Sequence, residues 1–194
     1  MKNLTRFILT LISFAIISCG TKQPKPDYIS PGKDYSEVVE ANTQRKEEYS
    51  GLYNTVTAGA TLLRTEVIRA TIDHRAGIYQ WDENTYRLEM QKAIDQSLIE
   101  TQMFVSFYTP ERKHDDLNKP TTVWKIFLDV GGKRFEGTAK KIKLITSEVK
   151  SMYPIHNQFS TPYMVTFPIS TKQVDDVPVK FTVTGPVGSL SLDF

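Results

Sequence analysis

Few side chains in this sequence are equipped for chemistry, and their spacing restricts what they can do. His74, His114 and His156 are the only histidines, each forty or more residues from the next. Zinc sites commonly draw two ligands from close positions, as in H-x-H or H-E-x-x-H, and neither pattern occurs. Asp73 beside His74 offers half of an acid–base pair, but adjacent helix positions point about 100° apart and do not share a face. The run Glu111-Arg112-Lys113-His114-Asp115-Asp116-Leu117-Asn118 gathers Asp115, Asp116 and Asn118 as oxygen donors. Calcium takes roughly six to eight oxygens from a loop with D-x-D-x-D-G spacing, and Arg112 and Lys113 oppose a cation. The run therefore reads as a solvated polar loop. A G-x-S-x-G elbow is absent, and Gly185-Pro186-Val187-Gly188-Ser189 has no phosphate-binding spacing. The spacing assigns no catalytic residue, metal ligand or cofactor-binding residue, and no cofactor is expected.

Aromatic and basic residues suggest surfaces instead. Met152-Tyr153-Pro154-Ile155 and Asn157-Gln158-Phe159-Ser160-Thr161-Pro162-Tyr163 carry Tyr153, Phe159 and Tyr163, which could form a recognition surface or carbohydrate platform. Packing beneath the loop that enters a strand at Tyr163 is the simpler expectation, and Trp81 and Trp124 are expected as core anchors. Lys133, Arg134, Lys140, Lys141, Lys143 and Lys150 outweigh Glu136 and Glu148, whereas Asp82, Glu83, Glu89, Asp95 and Glu100 outweigh Arg87 and Lys92. Lysines on sheet edges discourage edge-to-edge association, which is the preferred account of the basic set. The sharper account is a basic surface facing anionic headgroups or lipopolysaccharide phosphates.

The start of the chain carries an address. Lys2 and Arg6 form a positive n-region ahead of the apolar stretch Phe7 to Ile17, which is too short to span a hydrocarbon core of roughly 30 Å. Ile16-Ile17-Ser18-Cys19-Gly20 follows: branched apolar residues, a small residue, then the single cysteine. This order resembles the leader and lipobox of bacterial lipoproteins. The resemblance implies cleavage after residue 18 and a diacylglycerol on the Cys19 thiol, with the new amine commonly acylated. Two or more acyl chains hold a protein stably where one holds marginally. Gly20 stands where enterobacterial lipoproteins kept at the inner membrane typically carry Asp, so the resemblance implies the periplasmic face of an outer membrane. Residues 19–33, with Pro24, Pro26 and Pro31, read as the lipidated end and an extended tether.

Residues 34–194 read as one domain. The full 194 residues are 40% hydrophobic and 24% charged, which excludes a wholly disordered, collagenous or polytopic membrane chain. With Lys2 and Arg6 in the leader, the remainder is formally neutral, so nothing general favours nucleic acid. The domain must also stand without disulfides.

The elements that would position any site follow from periodicity. Asp34-Tyr35-Ser36-Glu37 has the form of a capping box, predicting a short N-terminal helix reaching toward Tyr49, stopped by Gly51. Val56, Ala58, Ala60 and Leu62 alternate as a strand. Thr65 is expected to cap a helix ended by Gly77, and Asp82 a second one with the stripe Tyr86, Met90, Ala93, Ile94, Ser97, Leu98 and Thr101. Strands are expected at Phe104 to Tyr108, Val123 to Val130, Arg134 to Glu136, Tyr163 to Phe167, Val179 to Thr184 and Leu190 to Phe194. The sum is an α+β domain, an antiparallel immunoglobulin-like β-sandwich with an inserted αα-hairpin and a short N-terminal helix. The functional expectation is a lipid-anchored envelope protein with a non-catalytic binding or scaffolding role toward an envelope protein or glycan. The alternative is an envelope-acting hydrolase whose carboxylates and histidines are assembled by the fold.

Overall fold

Alternation builds the centre of the domain. The structure, a computed structural model, describes residues 35–194. The leader, Cys19, the tether and the Asp34 cap lie outside the described residues. Nine strands are described: β1 (Thr43–Ser50), β2 (Tyr53–Leu62), β3 (Thr101–Tyr108), β4 (Lys125–Val130), β5 (Lys133–Glu136), β6 (Thr138–Lys141), β7 (Thr161–Phe167), β8 (Val179–Gly185) and β9 (Gly188–Asp193). They form two sheets, ordered β1-β2-β3-β7-β6 and β5-β4-β8-β9, and their registered pairings are antiparallel. Val56, Ala58, Ala60 and Leu62 share one core with Met103, Val105, Phe107, Tyr163, Val165 and Phe167 of the first sheet. Ile126, Leu128, Phe181, Val183, Leu190 and Leu192 supply the facing side from the second. Burying each large side chain is worth about 1.5–3 kcal/mol, so this interleaved seam is the main stabilising feature.

The opposite face of the first sheet holds a second core. Helices α1 (Tyr35–Ala41), α2 (Thr65–Tyr79) and α4 (Thr146–Met152) cover it, while α3 (Glu83–Ile99) runs back from α2. Tyr35, Val39, Leu63, Val67, Phe104, Val149 and Tyr153 are buried together there. Phe104 stacks on Tyr153 with ring centroids 4.0 Å apart. The domain is thus α+β, with helices on one side of two stacked antiparallel sheets. No helix among the described residues is long and apolar enough to cross a membrane.

Several elements depart from expectation. The N-terminal helix stops at Ala41, and Thr43–Ser50 is a strand paired along β2. That polar segment has little strand preference of its own; the hydrogen-bonding edge of β2 recruits it. Arg64, not Thr65, occupies the N-cap of α2. Thr65 is instead held from across the domain, its N–H donating to Asp175 Oδ1 at 3.1 Å and its hydroxyl to Oδ2 at 2.6 Å. Gly77 does not end α2, which runs to Tyr79 before Gln80 turns left-handed at φ 51°. Asp82 does cap α3, accepting from the Thr85 N–H at 2.7 Å. The stripe of α3 does not reach the core, however. No residue of that helix is buried, and Leu88, Ile94, Leu98 and Ile99 are exposed. Strand β6 and helix α4 were not anticipated from periodicity.

Candidate functional site

The residues with chemical potential are dispersed by the fold. Asp115 accepts hydrogen bonds from the Thr161 and Tyr163 hydroxyls, fastening its loop to β7. Asp116 accepts from the Thr122 hydroxyl at 3.0 Å, and Asn118 is exposed. Trp124 donates its indole N–H to the His114 carbonyl at 2.7 Å, and it is a core anchor as expected. The 111–118 run is therefore a latch for the sheet seam. Among the described residues no group of three or more His, Cys, Asp or Glu could hold a metal ion.

His74 and Asp73 turn to different partners. His74 stacks on Tyr35, with centroids 3.9 Å apart, whereas Asp73 accepts from the Tyr86 hydroxyl at 2.8 Å. Burial pushes the Tyr35 phenol up to about 12 and lowers His74. His156 shares a hydrogen bond with Ser106 in the helix-side core. Asp115 meets Thr161 and Tyr163 on the other side of the same sheet, since Thr161 pairs with Phe107 and Ser106 with Pro162. Alternation along a strand sends these neighbours to opposite faces. Asp115 and His156 do not converge.

The fold does assemble a cleft that spacing could not reveal. The outer face of the first sheet is covered by helices at one end only. Ile155 then crosses it in close contact with Gly59, where a Cβ would lie 2.6 Å from Ile155 Cγ1. Beyond that ridge the sheet stays open as a cleft of about 320 Å³, lined by Arg45, Glu47 and Tyr49 of β1, Asn54 and Thr57 of β2, Tyr108 of β3, and Asn157, Phe159 and Ser160. A second depression, of about 470 Å³, lies against α1 and the Pro154–Ile155 ridge and shares Arg45 with the first.

Local geometry prepares this cleft. The β1–β2 register shifts between Glu48 and Tyr49, so Tyr49 pairs with Asn54 and leaves Thr55 as the extra residue. Such bulges re-aim side chains. Gly51, at φ 63°, closes the turn in a conformation that costs other residues more. Asn157 Oδ1 accepts from the Phe159 and Ser160 N–H groups at 2.9 and 3.2 Å, fixing the loop that presents Phe159. Phe159 is 61% exposed, and Tyr49 and Tyr53 are also exposed.

Among the described residues one carboxylate, Glu47, lines the cleft. Hydrogen bonds from Tyr49 and then Arg45, both at 2.7 Å, hold the Glu47 carboxyl below its ordinary range, and the same bond raises the Tyr49 phenol. Asn54 donates through Nδ2 to Thr57 Oγ1 at 3.1 Å, while its Oδ1 is buried without a donor. An unpaired buried acceptor costs about 1–3 kcal/mol.

Comparison with protein-family models, curated proteins and solved structures finds no match to this chain.

The aromatic expectations divide. Tyr153 and Tyr163 are buried, while Phe159 stands at the cleft mouth. Trp81 is only half-buried, stacked near Tyr79 and under the Arg75 guanidinium, so it is not a core anchor. Lys133 and Arg134 lie on edge strand β5, and Lys140 and Lys141 on edge strand β6, as edge protection requires. Sequence reasoning missed Asn54, Tyr49, Tyr108 and Glu47. Their only local trace was the Gly51 turn that folds Tyr49 back beside Asn54.

Proposed function

We propose that this chain is a lipid-anchored protein of the bacterial envelope, held through Cys19 at the periplasmic face of an outer membrane, whose domain binds glycan without altering it. The leader and the Ile16-Ile17-Ser18-Cys19 box support the anchor. The observation that carries the binding role is the cleft walled by Tyr49, Tyr108 and Phe159, with the side chains of Asn54 and Asn157 among its lining. Sugar rings present C–H faces that pack on aromatic rings, and hydroxyls that donate to amide oxygens. A few placed polar groups among aromatic walls is the usual composition of a small-ligand site.

Catalysis has weaker support. Canonical glycoside hydrolysis uses a pair of carboxyl groups, one with a raised pKa. Among the described residues Glu47 is the only carboxylate lining this cleft, and its pKa moves the other way. The body is further assigned to the immunoglobulin-like sandwiches. The support is strand order: β2-β3-β7-β6 and β5-β4-β8-β9 follow the A-B-E-D and C′-C-F-G arrangement, with buried Trp124 leading into the C position. On that reading β1 is an added edge strand.

The test is co-sedimentation of the purified protein with peptidoglycan sacculi and titration with soluble oligosaccharides from them. Asn54→Ala and Phe159→Ala should each weaken binding by about tenfold, as contacts central to a small site do. Equal binding by both variants and the parent, or no binding, removes the glycan reading.

A further inference from the structure

The turn between β6 and α4 has a composition that neither sheet protection nor the cleft explains. Leu144 and Ile145 sit side by side there, 55% and 65% exposed. Lys140, Lys141 and Lys143 precede them and Lys150 follows on α4, with Glu148 the one acid in the stretch 138–152. None of these four lysines forms a salt bridge among the described residues, whereas Lys92, Lys113 and Lys125 do. Edge protection requires charge on the strand. It does not require two bare aliphatic side chains beyond it.

The position of this turn adds direction. The chain enters the described domain at Tyr35, whose hydroxyl donates to the Met152 carbonyl at the end of α4. Seven helical residues rise about 10 Å, so the Tyr35 hydroxyl stands at the opposite end of α4 from Leu144 and Ile145, about that far along the axis. Fifteen residues, 20–34, span at most about 50 Å, which bounds the distance between an anchor at Cys19 and the domain.

We infer that the Lys140–Lys150 segment is a membrane-contact surface for anionic phospholipid. Leu144 and Ile145 enter the headgroup boundary while Lys140, on the helix side of β6, and the nearby Lys143 and Lys150 meet phosphate oxygens, the usual division of labour at such interfaces. This rests on the anchored reading above, which supplies the nearby bilayer. It would hold one side of the domain against the membrane and set the orientation of the aromatic cleft.

The experiment uses the chain from residue 19 with Cys19→Ser, so that acylation plays no part, in flotation with neutral phosphatidylcholine vesicles and with vesicles containing about 30% phosphatidylglycerol. The parent should bind only the anionic vesicles and lose binding near about 0.5 M salt. Replacing Lys140 and Lys143 together by Gln should weaken binding about thirtyfold, at roughly 1 kcal/mol per lysine. Leu144→Ser with Ile145→Ser should weaken it about tenfold or more, both variants melting like the parent. No binding, equal binding to neutral vesicles, or indifference to either variant overturns the proposal. Acylation is read separately from the mass at Cys19 in the native envelope protein, so loss of the anchor reading and loss of this surface give different results.

Discussion

Ser106 Oγ lies 2.9 Å from His156 Nδ1, and both residues are 3% exposed. A serine nucleophile and its base meet at such a distance, yet the arrangement is the wrong way round. In an acyl-transfer triad Nε2 faces the serine and Nδ1–H faces an orienting acid. Here Nδ1 is spent on Ser106, and Phe104 packs edge-on against the ring. A fluorophosphonate probe should leave Ser106 unlabelled in the folded protein. Ser106→Ala should cost about 1 kcal/mol in urea unfolding, the usual worth of one buried hydrogen bond. Labelling at Ser106 would restore the hydrolase reading.

The two helix-side histidines make stability depend on pH in one direction. Burial lowers the pKa of both, aided at His156 by the charge of Lys150 and opposed at His74 by a backbone bond to Ser151. Below about pH 6.5 the unfolded chain takes up protons that the folded chain resists. Their contribution is therefore complete above about pH 6.5 and is lost as pH falls toward the lower folded values. Melting temperature should drop between about pH 7.5 and about pH 5.5, and His74→Gln and His156→Gln should each shrink that drop. An unchanged drop in both variants would assign the effect elsewhere.

Helix α3 is held differently from its neighbour. Val67 of α2 is fully buried, whereas Leu98 of α3 is 65% exposed. Val67→Ala should cost about 2 kcal/mol through lost contacts and a residual cavity. Leu98→Ala should change stability by less than about 0.5 kcal/mol. Native-state hydrogen exchange should show α3 amides opening ahead of those in β3, because few apolar contacts resist local unfolding there. Matched protection in the two elements would show that α3 is covered in solution.

The contrast between α2 and α3 shows how far periodicity carries. The stripe of α3 placed a helix correctly, because 3.6-residue spacing and an Asp82 cap are local properties. It misjudged burial, because what covers a face depends on where the neighbouring helix and sheet stand. Likewise β1 could not be read from Thr43–Ser50, a polar segment that β2 alone makes into a strand. The Thr65 cap failed because its hydroxyl is claimed by Asp175, 110 residues away.

By itself the sequence determined the strands whose alternation is strong, the paired helices, and the resemblance of the first twenty residues to a lipoprotein leader. These follow from dihedral preference and side-chain period, which act over a few residues. Tertiary structure alone decided the cleft. Asn54, Tyr108 and Phe159 stand far apart along the chain and meet because β2 pairs with β3, β3 with β7, and a bulge turns Asn54 to their face. Long-range pairing is a property of the folded sheet, not of the segments that enter it.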